Sequence, residues 1–154
     1  MIYYTIAAAA VLNRIGHKHA YWWIVWPGTV VHETMHYFVG LVTGAEPCDL
    51  KLLPEPSVPG QARTIGAVSF RDLNSVNAMP VLLAPFLGIP LVVYIVHHLT
   101  ITILWKQIAE VFLLGSVMSQ ARPSGADYEL LCEYPFSSIG WGVSAIACAY
   151  LYFM

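Results

Sequence analysis

Two histidines four residues apart enclose a glutamate in the pentad His32-Glu33-Thr34-Met35-His36. On a helix this spacing puts both imidazoles on one face, where they can grip one cation. Glu33 is rotated roughly 100° around the axis from its neighbour, close enough to work on a metal-bound water without being a ligand. The chemistry this implies is zinc-assisted hydrolysis. A catalytic zinc takes three protein ligands and keeps a fourth position for water, whose pKa it lowers toward ~7. His32 and His36 supply two ligands, and Glu33 is the general base that accepts the water's proton. The alternative is a pair of core histidines satisfied by backbone carbonyls. It would leave His, Glu and His together in an apolar helix with too much polarity uncompensated.

The third ligand must come from elsewhere in the chain. Carboxylates outside the pentad are Glu46, Asp49, Glu55, Asp72, Glu110, Asp127, Glu129 and Glu133. Asp127 stands out because Pro123-Ser124-Gly125-Ala126 precedes it. That is a tight turn between two apolar segments, suited to delivering a carboxylate at a helix start. The competing reading makes Asp127 only the N-cap of a short helix through Tyr128 to Cys132. Glu46 and Asp49, just past the histidine helix, are fallback ligands. His97 and His98 read as interfacial or polar-core residues, and His17 and His19 as part of a solvated loop. Cys48 has no second thiol beside it, and the three widely spaced cysteines form no disulfide framework.

The elements that must position these groups are unusually apolar. The chain has 154 residues, enough for one domain and no second sizeable core. Hydrophobic residues make up 58% and charged residues 10%, against a typical ~25% charged. A net charge of −2 without any Lys/Arg cluster excludes a nucleic-acid surface. The balance implies a lipid bilayer as partner. Ile2 to Leu12 reads as a short membrane helix rather than a cleaved signal, because no basic region leads it. Tyr21 to Gly44 is the pentad helix, anchored by Tyr21, Trp22, Trp23 and Trp26, with Pro27 as its first residue or a kink. Along it Thr29, His32, Glu33, His36, Gly40 and Thr43 share one stripe, expected to face other helices.

Glu46 to Ala78 is the long polar region, broken by prolines. Asp49 to Leu53 and Thr64 to Phe70 are its candidate strands. Met79 to Gln120 is apolar for about forty residues, long enough for two spans, with a break around His97 to Gln107. A second polar loop, Ser119 to Pro135, precedes a final apolar segment, Phe136 to Met154. The expected fold is an all-α polytopic membrane protein, four or five membrane helices with a small β-hairpin or sheet in the 46–78 loop. It is expected to be an integral, multi-pass protein. Lys and Arg divide almost evenly between the loops, so the positive-inside rule sets no orientation.

With these residues in view, the chain resembles the site-2 protease family of intramembrane zinc metalloproteases, as a minimal member without a PDZ domain. The pentad matches at His32, Glu33 and His36. The family's later turn, an Asn-x-x-Pro…Asp-Gly pattern, is met by Ser119 to Asp127, which keeps Pro123 and Asp127 but lacks the leading Asn and the trailing Gly. Ala84-Pro85 is similar to a further family element. The resemblance implies a Zn2+ cofactor held by His32, His36 and Asp127. It also implies endoproteolysis within or next to membrane-spanning segments of a membrane protein or peptide substrate. The Thr64–Phe70 strand would pair with the unwound peptide or simply cover the cavity. Substrate choice would lie in the core or in a regulatory partner or second copy. Two other readings are a membrane metal-binding or transport protein, and a non-catalytic zinc-containing subunit of a membrane assembly. The last would call for a fourth protein ligand such as Cys48 or His97.

Overall fold

The computed structural model describes residues 1–15, 22–53, 66–98 and 104–153. Within them the chain forms seven α-helices, a 3₁₀ turn and two strands. The helices are α1 (Ile2–Ile15), α2 (Trp22–Val42), α3 (Ala78–Leu82), α4 (Gly88–His98), α5 (Leu104–Gln120), α6 (Gly125–Cys132) and α7 (Pro135–Phe153), and the 3₁₀ turn Ala84–Leu87 links α3 to α4. Strands β1 (Pro47–Lys51) and β2 (Ala67–Phe70) pair antiparallel, with Leu50 opposite Val68 and an irregularity between Pro47 and Asp49. The candidate strands therefore exist, the first displaced two residues toward the N-terminus. Thr64 lies outside the described residues, as do His17, His19 and Tyr21.

The expectation of a multi-pass membrane protein is corrected. Among the described residues, no helix is long and apolar enough to cross a membrane. The apolar composition is real, but it is distributed over pieces that are short or diluted. The forty-residue run expected to supply two spans is cut at Leu83 and by Pro85, so α4 keeps only 11 residues. At 1.5 Å per residue that is about 16 Å, half of a ~30 Å hydrocarbon core. Helix α5 has 17 residues and carries Lys106, Gln107 and Glu110, while α1 has 14. Helix α2 reaches 21 residues but includes Pro27 and the pentad itself. Helix α7 reaches 19, with serine, glycine and tyrosine spread among its apolar residues.

Three helices form the frame. Gly115 of α5 lies against Ala8 of α1, so close that a Cβ would sit 2.8 Å from the Ala8 methyl. Seven residues further along, Arg122 reaches Asn13 at 3.2 Å, so the two helices run in the same direction. Helix α2 packs on α5 likewise, through Gly28 on Ser116 and His32 on Gln120. Pro27 sits inside α2 rather than at its start. Gly44 closes α2 with a positive φ of 73°, the left-handed cap that glycine adopts without steric cost. The hairpin then folds back on α2. The Trp26 indole N–H donates to the Leu52 carbonyl at 2.7 Å, and the Phe70 ring covers Gly40.

Candidate metal centre

The expected stripe along α2 faces inward: Thr29, His32, Glu33, His36 and Gly40 are buried, while Phe38 and Val42 on the other side are exposed. Each histidine is held by the end of a different helix. His32 Nδ1 lies 2.8 Å from the carbonyl of Gln120, the last residue of α5, and His36 Nδ1 lies 2.8 Å from the carbonyl of Val81 in α3. Carbonyls in the last turn of a helix have no partner within it, so they are ready acceptors. A carbonyl only accepts, so each Nδ1 carries the proton and donates. With Nδ1 so engaged, Nε2 is the atom each ring turns toward Asp127 and could offer to a metal, as metal-ligating histidines do.

Asp127 arrives from α6 and completes the group. Its Oδ1 is 3.3 Å from His36 Nε2, its Oδ2 is 3.5 Å from His32 Nε2, and the two Nε2 atoms are 3.1 Å apart. An ion bound tetrahedrally at ~2.0–2.2 Å needs ligand atoms about 3.3–3.6 Å apart. The two Asp127 separations, one to each carboxylate oxygen, fall in that range and the Nε2 pair lies about 0.2 Å short of it. Two imidazole nitrogens with one carboxylate are a donor set suited to a divalent metal. His32, His36 and Asp127 thus form a group that could hold a metal ion.

Asp127 is not the N-cap that the competing reading made it, although it does take part in capping the helix. The N-cap is Ser124, and α6 starts at Gly125, three residues earlier than Tyr128. Asp127 is the third helical residue of a capping box: its Oδ2 accepts the Ser124 N–H at 2.6 Å, and its own N–H donates to Ser124 Oγ at 3.2 Å. The cap fixes the carboxylate that faces the histidines. The fallbacks Glu46 and Asp49 are exposed and stand outside the group, as do Cys48 and His97. Among the described residues, three candidate ligand side chains converge rather than four.

The electrostatics follow from this crowding. Burial opposes charge on Asp127, but hydrogen bonds from His32 and His36 outweigh it and hold the carboxyl far below the usual range. Burial likewise opposes the charged His32 ring. The Asp127 and Gln120 acceptors and the Glu33 charge outweigh it and raise its pKa above that of an ordinary imidazole. Glu33 is pushed up, first by burial and further by Asp127, against the pull of the two histidines. A carboxyl displaced in that direction is a stronger base than an exposed one.

The group opens into a cavity of about 230 Å³. Glu33, His32, His36 and Asp127 line it together with Gly66, Ala67, Val68 and Phe70 of the β2 segment. Among the described residues β2 pairs only with β1, so its second edge is unpaired. The sequence singles out all four of the titratable side chains that meet here, His32, Glu33, His36 and Asp127. Sequence reasoning missed the Gln120 and Val81 carbonyls, the cap role of Ser124, and Gly66. The Pro-Ser-Gly turn carried a signal for Ser124. The carbonyls carried none, because they belong to the chain packing and not to a residue type. No family model, curated protein or solved structure matches the chain.

Proposed function

We propose that this chain is a zinc-dependent peptide hydrolase in which His32, His36 and Asp127 hold the ion and Glu33 moves the protons. The observation that carries the reading is the convergence of two Nε2 atoms and a carboxylate at 3.1–3.5 Å, each ring turned by a backbone carbonyl on its far side. A zinc ion there would act as a Lewis acid, polarising a scissile carbonyl and acidifying a water. Glu33, buried beside the ligands, takes the proton of the water that adds to the carbonyl carbon. It then returns a proton to the departing amine as the C–N bond breaks. The edge of β2 that is unpaired among the described residues would offer main-chain hydrogen bonds to an extended peptide, placing its amide against the centre. Three protein ligands suit a catalytic ion, since structural zinc takes four. In sequence, the pentad and the later Pro123…Asp127 turn resemble the site-2 protease pattern, which favours peptide hydrolysis over the transport and structural alternatives.

The test is direct. The zinc-loaded chain is expected to cleave a fluorogenic peptide, and Glu33→Gln to bind one zinc with hydrolysis reduced about 10²–10⁴-fold. A chain whose turnover survives Glu33→Gln is not working by this chemistry.

A further inference from the structure

Gly66 is a glycine that the backbone does not demand, since its φ is not positive. The space around it does. A Cβ at this position would stand 2.7 Å from Glu33 Cγ, 2.9 Å from Glu33 Oε1 and 2.9 Å from Thr29 Cγ2. Contacts under 3 Å are not tolerated, so a side chain here would displace either Glu33 or the start of β2. Thr29 is buried one turn before Glu33, on the same face of α2. Its hydroxyl is directed at the Val25 carbonyl, 3.4 Å away, which leaves the methyl group against Gly66. The Glu33 stem and the Thr29 methyl therefore both lie against the bare backbone of Gly66.

We propose that Gly66 and the Thr29 methyl are positioning residues that fix the Glu33 side chain in the orientation its proton transfers require. The inference rests on the hydrolytic reading of Glu33 above. Neither residue is a ligand or within the ligand group, so their effect belongs to turnover and not to metal binding. A displacement of about 1 Å at a catalytic group is enough to cost on the order of a hundredfold.

The experiment uses the zinc-loaded full chain, a fluorogenic peptide, and metal content by atomic absorption. Gly66→Ala is expected to bind one zinc per chain and keep KM within about twofold, while kcat falls about a hundredfold. In the Glu33→Gln background the same substitution is expected to cause no further loss, because Gly66 acts only through Glu33. Thr29→Ser, which removes the methyl alone, is expected to lower kcat severalfold with zinc retained, and it provides the reading should Gly66→Ala not fold. An active wild type whose kcat survives these substitutions overturns this inference alone, as does an equal further loss in the Glu33→Gln background. A zinc-loaded wild type that cleaves no peptide overturns the hydrolytic reading and this inference with it.

Discussion

The Ser116 hydroxyl of α5 is inserted into the backbone of α2 at Gly28. Its Oγ accepts the Gly28 N–H at 2.9 Å and donates to the Val25 carbonyl at 3.2 Å. Gly28 follows Pro27, where the helix ladder lacks a donor, and the inserted hydroxyl takes backbone partners on both sides of that proline. The same contact brings the end of α5 to His32, one turn further along α2.

This contact makes Gly28 intolerant of a side chain. A Cβ there would lie 2.1 Å from the Ser116 backbone oxygen, so two helices, not a flexible side chain, would have to part. Gly28→Ala gains about 1 kcal/mol of helix propensity, but overpacking costs about 1–3 kcal/mol and more where backbone must move. A net destabilisation of about 1–2 kcal/mol is expected in chemical denaturation, with weaker metal binding because the Gln120 carbonyl leaves His32. An unchanged midpoint would show that the helices do not meet this closely.

Asp127 has two tasks, and substitutions separate them. Asn at this position keeps an oxygen for the Ser124 N–H but loses the anionic ligand. Asp127→Asn is therefore expected to keep the fold and weaken zinc binding at least about a hundredfold, the upper end of what losing a mere supporting partner costs. Asp127→Ala loses both tasks and adds about 0.5–2 kcal/mol of destabilisation from the cap. Ser124→Ala loses the cap acceptor, about 1 kcal/mol, and keeps most of the zinc affinity. Isothermal titration and thermal melts resolve the three. Equal zinc binding by wild type and Asp127→Asn would remove Asp127 from the ligand set.

Metal and fold are coupled because the ligands come from α2 and α6, which meet only when the chain is folded. Zinc at a hundred times its dissociation constant is expected to stabilise the wild type by about 2.7 kcal/mol, seen as a raised melting temperature that a chelator reverses. His36→Ala should melt at one temperature with or without zinc. A zinc response in that variant would place the ion elsewhere.

Gly40 seats the hairpin. A Cβ there would lie 2.5 Å from Phe70 Cε1, so Gly40→Ala must push the ring, and β2 with it, away from α2. The expected result is a severalfold rise in KM for an extended peptide, with zinc stoichiometry kept. Loss of zinc instead would mean that the hairpin braces the ligands rather than the substrate.

The comparison of sequence with structure divides along a physical line. The pentad was legible because helical periodicity alone places His32 and His36 together, and Asp127 because its turn residues announce a helix start. The extents of α1, α2 and the hairpin followed to within a few residues. The membrane crossing did not follow, because an apolar count does not register where Leu83 and Pro85 cut the chain or how Pro27, His32 and Glu33 dilute α2. The carbonyls of Gln120 and Val81 were out of reach for another reason. Every residue has one, and only the meeting of helix ends with imidazoles singles these two out.

One bond far from the ligands reaches them through a short lever. The Ser137 hydroxyl near the start of α7 accepts the Met79 N–H at 2.9 Å, and Met79 belongs to the same five-residue helix whose Val81 carbonyl turns His36. Helix α3 thus holds its contact with α7 at Met79 and its contact with the imidazole at Val81, two residues apart. The orientation of the His36 ring therefore depends on how α3 is seated against α7, two helices that contribute no side chain to the His32–His36–Asp127 group.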